Sequence, residues 1–257
     1  MVSIEISLSI KQVLKGSLTM KKILCTLLAC ALCASVSIGI SGCGCSNSQE
    51  QEPGYRVTAT EPDLKNDEFG FFILNKDEVM VTEYLGSGTD VKIPESYENY
   101  KVTVIGRSVF NNKGLTSVEI PDSVREIQDY AFASNRELTS VKLPSSLKII
   151  GINSFFCCSA LESIELPSSL EEIGVYAFCG SGLKTVNIPK STTLTKLDQF
   201  VFYQCQDLTE VNIPATITSI ADNTFADCPN KITINAPSGS YAINYAKTNN
   251  FEYKEVK

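Results

Sequence analysis

The side chains with the most chemical potential in this 257-residue sequence are its ten cysteines, and the sequence contains no histidine. The lack of histidine excludes Ser-His-Asp and Cys-His nucleophilic systems and most metal hydrolases. Neither of the Gly-rich phosphate-binding patterns GxxxxGK[ST] and GxGxxG is present. Carboxylates such as Glu119 and Glu165 recur at a regular spacing, which indicates a solvated face rather than an acid–base pair. We therefore expect a non-catalytic protein without a cofactor.

Three cysteines occupy one repeated position, because Cys158, Cys205 and Cys228 each follow a phenylalanine by three residues. A repeated position implies a repeated environment, and a small buried thiol on an inner wall is the simplest interpretation. Cys205 and Cys228 fall in adjacent repeats, so a disulfide between them is an open alternative. We expect no metal site, because there is no C-x-x-C pair and no histidine to complete a ligand set.

Another cysteine lies where a lipid is attached in exported bacterial proteins. The basic start Met20–Lys22 is followed by an apolar run from Ile23 to Ile40, a pattern typical of an export signal. The segment Ile40–Cys43 that ends this run resembles a bacterial lipobox. The resemblance implies that Cys43 receives a diacylglyceryl thioether and becomes the mature N-terminus, with Cys45 as a competing acceptor.

The sequence before and after Cys43 is divided accordingly. Residues 1–42 are predicted to be a signal peptide, in which residues 1–19 are either an extension upstream of the true start Met20 or a longer basic region. Residues 43–67 are rich in Ser, Asn, Gln, Glu, Pro and Asp, which predicts a flexible tether. A plain signal peptide with an incidental cysteine, or a retained membrane helix, are the alternatives.

The rest of the chain is organised by a repeat. Residues 115–230 form five consecutive units of 22 to 25 residues. Each has an L-x-x-[VI]-x-[IL]-P run, a second apolar pair and a phenylalanine five residues after that pair. The period is typical of a leucine-rich-type solenoid, in which the proline ends a strand and each unit buries its apolar face against its neighbours. The shared prolines are Pro121, Pro144, Pro167, Pro189 and Pro214.

Both ends of the repeat array carry patterns that predict caps. Phe69–Leu74 and Val79–Tyr84 predict a β-hairpin that covers the N-terminal end, and residues 90–110 predict a degenerate first repeat with an insertion at residues 95–100. Residues 239–250 predict a helix, capped by Ser238 or Ser240, and residues 251–256 a final strand. The predicted fold class is a β-rich solenoid, a right-handed leucine-rich-repeat coil over residues 68–257 with these two caps.

The repeats also resemble a known family. The resemblance is carried by the L-x-x-[VI]-x-[IL]-P runs, by the Ile150-Gly151 and Ile173-Gly174 steps, and by the tails Ala131-Phe132, Ala177-Phe178 and Phe225–Cys228. Together they resemble the BspA-type leucine-rich repeat family of bacterial surface proteins, from about Phe69 to the C-terminus. The resemblance implies a cell-surface, often adhesive protein, and it brings no residue-level binding motif.

The outward side chains of the predicted strands form a polar ribbon. Val118 and Ile120 share one face of a strand, so the residues that alternate with them point outward. Strands stacked about 4.8 Å apart would make a ribbon about 20 Å long, which is the usual contact face of a solenoid. A plain solubilising surface is the alternative, because the ribbon lacks the Tyr, Trp and Arg of interface hot spots. Its members are Ser117, Glu119, Ser140, Lys142, Ser163, Glu165, Thr185, Asn187, Glu210 and Asn212.

The net charge of −7 argues against nucleic acid and against a polybasic mode of membrane binding. We expect a monomeric cell-surface lipoprotein that is held at the membrane by its lipid alone and binds an extracellular protein, as in adhesion. A glycan- or small-molecule-binding lipoprotein is one alternative, although it would need a pocket lined with aromatics and the sequence shows no clustered row of tyrosines. A passive structural role in the envelope is another.

Overall fold

The computed structural model describes residues 61–191, 193–228 and 231–257. These residues form a β-solenoid of about eight turns with one α-helix near the C-terminus, which confirms the predicted fold class. The predicted signal peptide, Cys43 and most of the predicted tether lie outside the described residues. Among the residues described, no helix is both long and apolar enough to cross a membrane.

Most coils contribute one short strand to each of two separate faces, and neighbouring coils pair in parallel on each face. In chain order the strands are β1 (Leu64–Lys65), β2 (Phe69–Ile73), β3 (Glu78–Tyr84), β4 (Asp90–Lys92), β5 (Ser96–Tyr97), β6 (Tyr100–Ile105), β7 (Ser117–Glu119), β8 (Glu126–Ile127), β9 (Ser140–Lys142), β10 (Ile149–Ile150), β11 (Glu172–Ile173), β12 (Thr185–Asn187), β13 (Lys196–Leu197), β14 (Glu210–Asn212), β15 (Ser219–Ile220), β16 (Thr233–Pro237) and β17 (Glu252–Val256), and the helix is α1 (Tyr241–Thr248). Strands β4, β7, β9, β12, β14, β16 and β17 lie on what we call the front face. Strands β6, β8, β10, β11, β13 and β15 lie on the second face.

A column of stacked phenylalanines runs through the core. Neighbouring rings in this column lie 5.0 to 5.6 Å apart between centroids and within 3° to 8° of parallel. Every ring is buried, and burying a side chain of this size contributes about 1.5–3 kcal/mol before entropy is subtracted. The column therefore ties each coil to the next, as the repeat period predicted. Its members are Phe110, Phe132, Phe155, Phe178, Phe202 and Phe225.

A turn with two left-handed residues aims each phenylalanine inward. Tyr130 and Ser134, two residues on either side of Phe132, have φ of 58° and 61°. This conformation costs most residues about 1–2 kcal/mol. Gly180 adopts it without that cost at the same position after Phe178, with φ of 64°. The repeated strain is offset by the burial of the ring that the turn carries.

Both faces are interrupted once. On the second face, the sheet breaks between β11 and β13, where the fourth repeat has two extra residues. Ser191 in that insertion is buried, and its hydroxyl donates to the Leu170 carbonyl at 3.0 Å and accepts from the Leu194 N–H at 3.3 Å. The break on the front face lies elsewhere and belongs to the candidate site.

The predicted caps are present at both ends. The hairpin β2–β3 is antiparallel and buries Phe69 and Phe71, and the Phe69 ring contacts Phe110 at the start of the phenylalanine column. At the other end, Ser240 is the N-cap of α1 and accepts from the Ile243 N–H at 3.4 Å. Of the two serines proposed for this role, the structure selects Ser240.

Candidate functional site

The predicted polar ribbon lies on the front face but is not continuous. We call the two outward residues of one repeat a rung. Four rungs of the ribbon are on strands β7, β9, β12 and β14, where polar residues alternate with apolar ones turned toward the core. Strands β4, β7 and β9 form one parallel sheet, and β12, β14, β16 and β17 form another. The middle rung, Ser163 and Glu165, is exposed and belongs to neither sheet. The strands under the ribbon therefore form two separate sheets, and the ribbon has two halves on either side of Ser163 and Glu165.

The N-terminal half carries a row of alternating charges. Register pairing places Lys92, Glu119 and Lys142 side by side on β4, β7 and β9. The Glu119 carboxylate lies 2.9 Å from the Lys142 ammonium and 3.3 Å from that of Lys92. Hydrogen bonds from Lys142 and then Lys92 hold the pKa of the Glu119 carboxyl below its ordinary value. Two residues earlier on β4 and β7, the Ser117 hydroxyl donates to the Asp90 carboxylate.

The C-terminal half carries a ladder of side-chain amides. The Asn212 amide donates to the Asn187 carbonyl oxygen at 2.7 Å, and the Asn235 amide donates to that of Asn212 at 2.8 Å. Asn235 also donates to the Glu210 carboxylate, so only 8% of its surface remains exposed. Sequence reasoning missed Asn235, although its place in front of Pro237 matches that of Asn212 in front of Pro214.

The segment Ser163–Leu166 between the two halves leaves its backbone unpaired. The last ladder bond on this side is from the Lys184 N–H to the Glu162 carbonyl at 3.1 Å. No backbone hydrogen bond in the described part of the chain reaches Ser163–Leu166, and no strand is formed there. Leu166 ends this run where most other coils have isoleucine, and leucine lacks the β-branching that favours strands.

Apolar side chains are half-exposed next to this segment. Val141, Leu143 and Leu166 are only partly buried against the core, whereas Val118 and Ile120 at the same repeat positions are buried. The centre of the front face thus has apolar side chains and free backbone groups within a rim of charges and amides. This arrangement matches the apolar centre and polar rim of protein–protein interfaces.

Three aromatic rings cluster at the turn edge of the third and fourth repeats. Tyr176 and Phe200 are stacked 4.8 Å apart, and Tyr203 meets both rings edge-on. The Tyr203 hydroxyl donates to the Asp227 carboxylate at 2.6 Å. The sequence shows no clustered row of tyrosines, and this cluster arises because Tyr176 and Phe200 share a repeat position that stacking brings together.

The repeated cysteines form an internal column. The Cys158 thiol donates to the Phe132 carbonyl at 3.4 Å, and the Cys228 thiol donates to the Phe202 carbonyl at 3.2 Å. Burial raises the pKa of Cys158 to about 12 and that of Cys228 to about 11, so both remain protonated and unreactive. Cys228 is a free thiol, so the alternative of a Cys205–Cys228 disulfide is not realised.

In the repeat that begins at Leu115, the position of these cysteines is occupied by Asn135, whose side chain is an amide. The Asn135 amide donates to the Phe110 carbonyl at 2.8 Å, and its oxygen accepts from the backbone N–H groups of Leu115 at 3.0 Å and Lys113 at 3.1 Å. Asn135 is fully buried and satisfies more backbone groups than a thiol can. Within the described ranges no group of His, Cys, Asp or Glu side chains could hold a metal ion.

The repeats match the model of a known protein family. Residues 87–194 and 191–256, more than half of the chain, match the model of the BspA type leucine rich repeat region, with six copies. No curated protein matches the sequence.

Solved structures of similar fold come from several bacteria. A leucine-rich repeat protein of Bacteroides ovatus is 32% identical, with a TM-score of 0.59, covering 67% of this chain and 47% of that one. A leucine rich cell surface protein of Faecalibacterium prausnitzii is 29% identical, with a TM-score of 0.56, covering 67% of this chain and 54% of that one. A leucine-rich repeat protein of T. pallidum, 22% identical with a TM-score of 0.57, covers 74% of this chain and 97% of its own and shares the fold. This chain thus spans about half the length of the first two.

Proposed function

The chain belongs to the BspA-type leucine-rich repeat family, and we propose that it is a cell-surface lipoprotein whose front face binds an extracellular protein. Leucine-rich repeats are a protein-interaction fold, and one similar structure is described as a cell surface protein. The observation that carries the proposal is the interruption at Ser163–Leu166, where an apolar centre meets unpaired backbone inside a polar rim.

The front face presents different chemistry on its two sides. The Lys92–Glu119–Lys142 row offers charges, and the Asn187–Asn212–Asn235 ladder offers amides already oriented by one another. Groups held in place in the free protein lose less conformational entropy on binding, which favours specific contacts. A protein partner that spans the interruption would contact both halves and bury Leu143 and Leu166.

The lipid anchor is the second part of the proposal. An export signal followed by the lipobox-like segment that ends at Cys43 supports attachment at this residue. Two or three acyl chains hold a protein stably at a membrane, where one chain does not. The polar residues of the predicted tether that precede β1 (Leu64–Lys65) would then hold the solenoid away from the membrane surface.

A binding screen with matched charge reversals tests the proposed face. Lipid-free protein lacking residues 1–45 is presented to a panel of extracellular matrix proteins, mucins and glycans. The test variant, Glu119→Lys with Glu165→Lys, reverses two front-face charges. The control variant, Glu171→Lys with Glu172→Lys, reverses two exposed charges on or beside the second face, where Glu171 also pairs with a lysine.

The proposal predicts saturable binding to a protein that the Glu119→Lys, Glu165→Lys variant loses and the control retains. An equal loss of binding in both variants would mean that the change in net charge causes the loss, which would contradict the assignment to the front face. A folded protein that binds no member of the panel would favour a passive structural role in the envelope.

One observation favours a glycan as a second candidate ligand. The cluster of Tyr176, Phe200 and Tyr203 provides aromatic faces beside the Asp227 carboxylate, the kind of surface that the glycan alternative requires. Glycan binding in the same screen that is lost in Phe200→Ala and kept in Glu119→Lys would support this candidate. Glycan binding that survives Phe200→Ala would exclude the cluster as its site.

A further inference from the structure

The last strand of the front face has an open edge. Strand β17 pairs in parallel with β16 along five residues, and all five residues of β17 are exposed. In the described part of the chain, no strand pairs with the other edge of β17. Tyr253 and Val256 on this strand expose 45% and 40% of their surface. An exposed strand edge with apolar side chains is a template for pairing with another chain.

The backbone groups at this edge point outward at known residues. The Thr233 N–H bonds to the Thr209 carbonyl of the preceding coil, so the next residue, Ile234, directs its backbone groups toward β17. Tyr253 is the register partner of Ile234, and its own N–H and C=O therefore point away from β16.

The side chains of β17 are divided between its two faces. Lys254 is the register partner of Asn235, so Lys254 and Glu252 lie on the ribbon side of the strand. Tyr253 lies on the opposite side, where the Lys247 ammonium of α1 is 5.1 Å from its ring centroid.

We propose that β17 pairs with β17 of a second copy of this chain, antiparallel and centred on Tyr253. In this register the two Tyr253 residues exchange backbone hydrogen bonds. Glu252 of each copy lies directly opposite Lys254 of the other, giving two cross-strand ion pairs on the ribbon side. The front sheets of the two copies become one sheet, and the expected monomer becomes a two-fold dimer. This dimer does not depend on the ligand of the front face.

Charge disfavours several competing arrangements. Antiparallel registers centred on Glu252, Lys254 or Glu255 place two like charges directly opposite each other at the centre, which is destabilising. A head-to-tail arrangement that continues the front sheet in register, from β17 to β4 of the next copy, opposes Glu252 with Asp90 and Lys254 with Lys92. The register centred on Tyr253 opposes unlike charges at both positions.

A charge-swap experiment on the full chain in mild detergent tests the register by sedimentation equilibrium. Glu252→Lys alone places Lys opposite Lys, and Lys254→Glu alone places Glu opposite Glu. Each single variant should dimerise about tenfold more weakly than the natural chain. An equimolar mixture of the two variants restores two unlike pairs and should form a heterodimer as tightly as the natural chain. Because both variants share the same N-terminal region, association through that region would not respond to mixing.

A cysteine cross-link provides a second, independent readout. Opposed residues of a hydrogen-bonded antiparallel pair have Cα atoms about 5.5 Å apart, within disulfide range. Tyr253→Cys should therefore form a reducible dimer under mild oxidation, at a yield well above that of the natural chain. Glu255→Cys, whose partner would be residue 251 of the other copy, should not. A natural chain that stays monomeric, a mixture that does not restore dimerisation, or equal cross-linking at positions 253 and 255 would overturn the proposal.

Discussion

Substitution of Asn135 should have a large effect on the free energy of unfolding, because its side chain lies at one end of the internal column and bonds to buried backbone groups. Replacement by alanine leaves the Phe110 carbonyl without its amide donor and the Leu115 N–H without its acceptor, both in the buried core. An unsatisfied buried group costs about 1–3 kcal/mol, so Asn135→Ala should lower the free energy of unfolding by about 2–6 kcal/mol.

Asn135→Cys distinguishes hydrogen bonding from simple volume loss. A cysteine here would copy Cys158 and Cys228, whose thiols donate to the phenylalanine carbonyl of the preceding coil. It would restore a donor to Phe110 but no acceptor for the Leu115 N–H, so we expect a loss of about 1–3 kcal/mol, less than for alanine.

Equilibrium urea unfolding, followed by circular dichroism, measures these differences. The control is Asn111→Ala, an exposed asparagine in the turn of the preceding coil, which should change the unfolding free energy by less than about 0.5 kcal/mol. If Asn135→Ala were no more destabilising than Asn111→Ala, or if Asn135→Cys were worse than alanine, the assigned hydrogen-bond column would be refuted.

Three further predictions concern the front face, the thiols and the anchor. Amide hydrogens of Ser163–Leu166 should exchange faster by mass spectrometry than those of β7 or β12, because they lack ladder partners; equal protection would contradict the interruption. Burial raises the pKa of Cys158 to about 12 and of Cys228 to about 11, from 9.0, so only the unfolded thiols ionise as pH rises past 9. Their contribution to stability is therefore complete below pH 9 and decreases between pH 9 and 11, on the order of 1 kcal/mol per thiol and pH unit. Cys228→Ala should make this decrease smaller in pH-dependent urea unfolding, and a profile unchanged by the substitution would disprove it. Palmitate labelling should disappear in Cys43→Ala and persist in Cys45→Ala, and labelling that survives in Cys43→Ala would rule out the anchor at Cys43.

Most of the fold could be predicted from the repeat pattern, because the spacing of apolar residues within each repeat determines which side chains are buried. Phe132 and Phe155 recur five residues after an apolar pair, and only stacked coils can bury them all, so the column of rings follows from spacing alone. Ser238 or Ser240 followed by residues at helical spacing likewise predicted the start of the C-terminal helix, and the structure selects Ser240.

The features that could not be predicted from the sequence depend on contacts between neighbouring coils. The run from Leu161 to Leu166 matches the repeat motif, yet Ser163–Leu166 forms no ladder bonds, because pairing requires both adjacent strands to approach closely. Phe200 and Tyr176 are 24 positions apart in sequence, and their contact becomes visible only when the repeats are compared across the stack at the same position.

The most direct test of the front face is hydrogen exchange of the full chain with and without the protein partner found in the screen. The proposed interface predicts slower exchange of Ser163–Leu166 and of the flanking strands β9 and β12 in the complex, with β8, β10 and β11 on the second face unchanged. Protection confined to β8, β10 and β11, with Ser163–Leu166 exchanging as in the free protein, would contradict it.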